Sequence, residues 1–338
     1  MRQGKLQGAV RGHRARAGEA GQPLIEIVEV GPRDGLQSEE RVLSVETRIE
    51  LIRRLEEVGV ARIETVSFAH PQRVPQMAGA EEICSALGTR SFSAIGLVLN
   101  ERGLNRALEC DLDEINFVSY AADGYSLKNT GASAADRNAE AARLVERTRQ
   151  AGRKASVTIS AAFGDPIDGH VSSEAVEAIA EQMAEAGADE IALGDTIGVA
   201  VPTDVRERVD VVRRAAPLAA VRCHFHNTRN AGYANAIAAL DAGVDALDSA
   251  VGGYGGSPFS PGAGGNVASE DLAAMLEGMG VETGLDSYRL AAIGVWLARE
   301  LGDEQPPAML GRVPGWPPGG RDADPPAGPF RPRRPSSG

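Results

Sequence analysis

The chain has 338 residues, of which 43% are hydrophobic and 24% charged, a composition that excludes a wholly disordered polymer. No run approaches the ~18–20 apolar residues of a membrane span, so no membrane association is expected. The formal net charge is −12, and residues 23–302 carry −17 of their own against small basic excesses at both ends, which excludes nucleic acid as a partner and requires a local cationic pocket for any anionic ligand.

Residues 1–22 hold Arg2, Lys5, Arg11, Arg14 and Arg16 without an apolar stretch, and are expected to form a disordered basic tail rather than a secretory signal. From Leu24 onward, strand-sized apolar runs alternate with amphipathic ones. The runs are Leu24–Val30, Ala61–Phe68, Phe92–Val98, Glu114–Val118, Ala155–Ala161, Glu190–Leu193, Ala220–Phe225 and Val244–Val251. Helices are expected at Ser44–Val58, Ala78–Leu87, Glu101–Glu109, Ala134–Ala151, Ser173–Ala186, Pro202–Ala215 and Arg229–Ala242, and after the eighth strand at Ser269–Met279 and Ser287–Leu301. Ser44 and Ser173 are candidate N-caps, and Gly59, Gly152, Gly187 and Gly243 stand where helices end. Eight strand–helix pairs without a nucleotide-binding glycine fingerprint favour an α/β (β/α)8 TIM barrel over residues 23–302, rather than an open doubly wound sheet. Ten of the nineteen prolines fall in 303–338, which predicts a second disordered tail.

In such a barrel the reacting groups sit at the C-terminal strand ends. After strand 1, Gly31-Pro32-Arg33-Asp34-Gly35 sets two charges at a strand mouth, where a solvated turn is the competing explanation. Glu64 is an acid inside an apolar strand and needs a partner such as Arg33 or a metal-bound water. On strand 7, His224 and His226 share one face of the strand, half of a metal site, while Cys223 and Phe225 share the other. Asp195 follows strand 6 as a further mouth acid or a turn cap. After strand 8, seven glycines in residues 252–266 predict a lid or a close backbone approach, with Asn266 at its base as an oxygen ligand. Asp34, His224, His226 and Asn266 make a mixed nitrogen and oxygen set suited to a divalent cation, Mg²⁺ or Mn²⁺ first. Cys84, Cys110 and Cys223 match no zinc spacing and read as reduced thiols of a cytoplasmic protein.

Five segments, VEVGPRDGLQ (28–37), IETVSF with PQMA (63–68, 75–78), LGDTIGV (193–199), CHFHNT (223–228) and GGSPFSPGAGGNVASEDL (255–272), resemble the 3-hydroxy-3-methylglutaryl-CoA lyases of the DRE-TIM metallolyase superfamily. The resemblance covers residues 24–301 and implies a retro-Claisen cleavage of 3-hydroxy-3-methylglutaryl-CoA to acetoacetate and acetyl-CoA, as in leucine degradation and ketone body formation. It also implies an acyl-CoA substrate and a homodimer. Asp34, His224, His226 and Asn266 match the family's metal ligands, Arg33 its enolate-stabilising arginine, and Glu64 an acid of its active-site network, while Asp34 or a histidine-linked water is the candidate acceptor of the substrate hydroxyl proton. Where the family has a catalytic cysteine in the lid, this chain has Ser257, a far weaker proton donor. His70, just past strand 2, is a candidate substitute acid or substrate ligand, with a surface loop position as the alternative. Asn227 stands where the family commonly has an acid. The exchange at 257 keeps two other readings open: a related lyase or aldolase acting on another 3-hydroxyacyl-CoA, and an inactive metal-binding barrel.

Overall fold

Side chains alternate across a strand, so in a closed barrel every second residue points to the interior and the rest face the helices. The structure, a computed structural model, describes residues 24–256 and 264–312. Its strands are β1 (Glu26–Glu29), β2 (Arg62–Ser67), β3 (Ser93–Val98), β4 (Glu114–Tyr120), β5 (Lys154–Ser160), β6 (Glu190–Asp195), β7 (Ala220–Phe225) and β8 (Ala246–Ser249). They are parallel, neighbour one another in chain order and close into a barrel. Closure is made by β1 on β8, from Glu26 opposite Ala246 to Glu29 opposite Ser249, which excludes the open sheet.

The helices are α1 (Val45–Val58), α2 (Ala80–Leu87), α3 (Glu101–Leu108), α4 (Asp123–Thr130), α5 (Ala134–Gln150), α6 (Ser173–Glu185), α7 (Pro202–Ala215), α8 (Gly232–Asp241), α9 (Ser269–Gly278) and α10 (Ser287–Leu301). Each of the barrel helices α1, α6 and α7 buries one apolar stripe, such as Leu51, Ile52, Leu55 and Val58 of α1. Ser44 caps α1 by accepting from Thr47 N, and Gly59 ends it at φ +96°, a conformation a β-carbon would strain. The cap of α6 is Ser172, which accepts from Ala175 N, and not Ser173, which is already helical.

Helix α4 was not expected. Asp123–Thr130 is poor in helix formers, and its N-cap residue Ala122 offers no side-chain acceptor. The β5 loop supplies the missing acceptors: Asp168 Oδ2 receives Gly124 N at 2.6 Å, and Asp165 Oδ2 receives Tyr125 N at 3.0 Å. The expected disordered C-terminal segment also starts too early at 303. Among residues 303–312, Ala308 is buried and its N–H donates to Gly252 O at 2.9 Å. The Asp271 carboxylate accepts from Met309 N and Leu310 N at 2.8 Å each, so this stretch is tied to α9. No helix among the described residues is long and apolar enough to cross a membrane. All three cysteines are buried and outside any disulfide.

Candidate metal centre

Past β1 the chain does not simply bend away. The Val30 carbonyl accepts from Arg33 N (3.1 Å), Asp34 N (2.7 Å) and Gly35 N (3.2 Å), winding residues 31–35 into a single π-type turn at the strand mouth. Glu29, on the outer face of β1, anchors that turn. Its Oε1 accepts from Gly31 N at 2.7 Å and from Val251 N at 3.0 Å, and its Oε2 accepts from the Ser269 hydroxyl at 2.5 Å. A β-carbon at position 31 would stand 2.5 Å from Glu29 Oε1, which is why glycine opens the turn. Burial pushes the Glu29 carboxyl up to about 7 against these hydrogen bonds. Glu270 on α9, buried beside Gly252 N, is pushed up to about 8.

The turn delivers Arg33 and Asp34 to one spot. Arg33 donates from Nε to Glu64 Oε2 at 2.6 Å, and its Nη1 donates to Asp34 Oδ1 at 2.6 Å. Glu64 is buried on β2, and its other oxygen accepts from Asn116 Nδ2 on β4 at 3.0 Å. The partner expected for Glu64 is therefore Arg33. The solvated-turn alternative for Arg33 and Asp34 fails, because their side chains are only 12% and 17% exposed.

Opposite them on β7, His224 and His226 lie with ring centroids 5.1 Å apart. Each Nε2 stands 3.8 Å from Asp34 Oδ2, too far for a hydrogen bond, and one ligand atom from each of the three residues lies within 4.8 Å of the others. That spacing lets one ion touch all three, and a carboxylate with two imidazoles is a fitting donor set for a divalent cation. Burial raises the Asp34 carboxyl, but Arg33, His224 and His226 outweigh it and hold the group well below the usual carboxylate range. An acid that strong is a ready anionic ligand and a poor proton acceptor. His226 falls to about 4 through burial and the neighbouring His224, so it is neutral near pH 7. Burial also opposes the charged form of His224, yet a hydrogen bond from its Nδ1 to Asp248 Oδ2 (3.1 Å) and the charge of Asp34 raise it.

Asn266 joins the cluster at the base of the glycine segment, next to His226 through a β-bridge. Its Nδ2 donates to Asp34 Oδ2 at 2.8 Å and to Tyr254 O at 3.0 Å, so serving as a ligand through oxygen would require the amide to turn over. The expected close approach of backbone is real at Gly255. It has φ +94°, and a β-carbon there would meet Asn266 Nδ2 at 2.6 Å and Asp34 O at 2.8 Å.

Other sequence candidates sit elsewhere. His70 is exposed, its Nδ1 accepting from Gln72 N at 3.3 Å; among the described residues no hydrogen bond joins it to the cluster. Ser257 lies outside the described residues. Asp195 caps its own turn, accepting from Val199 N (2.8 Å) and Ala200 N (3.1 Å), and burial pushes it up to about 6. Asn227 accepts from Gly232 N at 3.1 Å and so serves the start of α8.

Sequence reasoning missed a layer of buried charge beneath the site. Arg62 bridges Glu114 (2.7 Å) and Glu190 (2.8 Å), and Arg222 lies 2.9 Å from Glu190 and 3.0 Å from Asp248. The signal was present as spacing: Arg62, Glu114 and Arg222 each stand two residues before Glu64, Asn116 and His224, on the same strand face.

The HMGL-like family model matches residues 24–296. An (R)-citramalyl-CoA lyase from Chloroflexus aurantiacus is 44% identical over 300 residues, covering 86% of this chain and 94% of its own. A hydroxymethylglutaryl-CoA lyase from Pseudomonas mevalonii is 38% identical over 279 residues, covering 82% and 93%. Among solved structures, an HMG-CoA lyase from Acinetobacter baumannii in complex with coenzyme A and 3-methylmalate superposes with a TM-score of 0.82 at 33% identity, covering 89% of this chain and 97% of its own.

Proposed function

Because the chain belongs to the HMGL-like family, we propose that it is a metal-dependent carbon–carbon lyase that splits the C2–C3 bond of a carboxylate-bearing 3-hydroxy-3-methylacyl-CoA. The observation that carries this reading is the convergence of Asp34, His224 and His226 on one point, with the Arg33 guanidinium bonded to Asp34. A divalent cation held by those three side chains and Asn266, Mg²⁺ or Mn²⁺, would make the C3 hydroxyl of the substrate more acidic and grip its carboxylate. The C3 hydroxyl gives up its proton to a neighbouring water; as the C2–C3 bond breaks, its electron pair moves toward the thioester oxygen and the C3 oxygen becomes the carbonyl oxygen of an oxo acid. Arg33 then faces the developing negative charge, held in place by Glu64 and, behind it, by Asn116. C2 takes up a proton to complete acetyl-CoA.

Two substrates fit this chemistry, and they differ by one methylene between C3 and the carboxylate. Motif resemblance points to 3-hydroxy-3-methylglutaryl-CoA, which would yield acetoacetate. Two points favour citramalyl-CoA, which would yield pyruvate: the 44% identity to a citramalyl-CoA lyase against 38% to the hydroxymethylglutaryl enzyme, and Ser257 where the motif resemblance implies a catalytic cysteine. The test is a thioester panel with Mn²⁺ or Mg²⁺, with and without chelator, scored by product mass. Pyruvate and acetyl-CoA from citramalyl-CoA, lost on chelation, is the expected result. Acetoacetate from the longer thioester alone would reverse the substrate assignment, and metal uptake with no cleavage of any thioester would leave an inactive metal-binding barrel.

A further inference from the structure

Asp248 lies on β8 beneath the candidate metal centre and is 6% exposed. Its two oxygens have different duties. Oδ1 accepts from Arg222 Nη1 at 3.0 Å, and Oδ2 stands 3.1 Å from His224 Nδ1. Arg222 is fully buried, lies 2.9 Å from Glu190, and can only donate. Whatever side chain occupies position 248, the atom facing Arg222 must therefore be an acceptor. The atom left over decides what His224 can be. A carboxylate oxygen there requires a proton on Nδ1, and this leaves the Nε2 lone pair directed to the Asp34 side, where His224 Nε2 and Asp34 Oδ2 are 3.8 Å apart.

We infer that Asp248, oriented by Arg222, is a positioning residue that sets the His224 tautomer to the one able to bind a cation. This deepens the metal reading above and rests on it. The arrangement makes an inverted prediction. In Asp248→Asn the size is kept, but Arg222 claims the amide oxygen and the NH₂ group faces His224 Nδ1. That nitrogen must then accept, its proton moves to Nε2, and the lone pair at the metal position is gone. In Asp248→Ala the imidazole is free to adopt either tautomer. The isosteric variant is thus the more harmful one for metal binding. A merely structural role predicts the reverse order, since alanine leaves a cavity and an unanswered guanidinium.

The experiment uses the full chain, stripped of metal, with Mn²⁺ alone as the probe. Electron paramagnetic resonance titration should show affinity weakened about 100-fold in Asp248→Asn and about 10-fold in Asp248→Ala, the two ends of the range for groups that orient metal-ligating histidines. Nitrogen-15 histidine spectra of the metal-free wild type at mildly alkaline pH should place the His224 proton on Nδ1, and those of Asp248→Asn should place it on Nε2. The wild-type spectrum stands by itself even if a variant fails to fold. A wild type with the proton on Nε2, or an asparagine variant that binds Mn²⁺ at least as well as the alanine variant, overturns the inference. A wild type that takes up no Mn²⁺ overturns the underlying metal reading, and the inference with it.

Discussion

Replacing Arg33 by lysine should separate charge stabilisation from metal holding. The guanidinium reaches Glu64 through Nε at 2.6 Å and through Nη2 at 2.5 Å, and Asp34 through Nη1 at 2.6 Å. A lysine ammonium is a point charge without a fork, so it can meet one carboxylate while losing the other. Two charge-assisted bonds go, each worth roughly 1.5–3 kcal/mol, and water refills part of that at a site still 12% exposed, so we expect about 1–3 kcal/mol of lost stability. The catalytic loss should be larger than that remnant suggests. Removing one oriented donor from a developing oxyanion costs about 10²–10³ in kcat, or roughly 3–4 kcal/mol. Asp34 keeps His224, His226 and Asn266 as neighbours, so Mn²⁺ affinity should stay within a few-fold of wild type. The assay pairs acetyl-CoA release at saturating metal with an Mn²⁺ titration. If kcat and Mn²⁺ affinity fell together, Arg33 would be acting through Asp34 and not on the substrate; an unchanged kcat would remove it from the chemistry.

Three further substitutions have defined outcomes. Burial raises Glu29 to about 7, above its unfolded value of ~4.3, so the fold binds an extra proton between these limits; the stabilisation is complete below the lower value and is lost as pH rises through the upper one. Glu29→Gln should therefore gain stability relative to wild type on going from pH ~5 to ~8, by at most about 3 kcal/mol in denaturant melts, and a constant difference across that range would contradict the shifted titration. Arg62→Met takes from the buried Glu114 and Glu190 their shared guanidinium, leaving Lys154 beside one and Arg222 beside the other, and should destabilise the fold by about 3–5 kcal/mol; a loss under about 1 kcal/mol would mean that these two remaining cations suffice. Ser257→Cys places a thiol that ionises near ~8.5 where the motif resemblance implies a catalytic cysteine, and it should raise turnover of the longer thioester at least about tenfold; no gain would assign the proton to another donor.

What could be seen in the sequence follows from range. His224 and His226 are two residues apart, so the strand period alone placed them on one face, and the eight runs alone indicated the barrel. Asp34 and Asn266 are 232 residues apart, and no local pattern links them; motif resemblance did. Arg62, Glu114, Glu190, Arg222 and Asp248 show in the sequence only as charges on inward strand faces, and their pairing appears once the closed barrel brings β2, β4 and β6 to face one another across its interior. Helix α4 was hidden for the same reason: its capping acceptors, Asp165 and Asp168, come from another loop. His70 went the other way. Its position past β2 suggested the mouth, but its side chain is exposed.

On the proposed reading, Asp34, His224 and His226 hold one cation on which cleavage depends. Titration of metal-free protein with Mn²⁺, followed by electron paramagnetic resonance alongside acetyl-CoA release, tests it most directly. A single site per chain whose filling tracks the return of activity, and which disappears in His226→Ala, is the predicted result. Full turnover before any Mn²⁺ is bound, or unchanged uptake by His226→Ala, would contradict it.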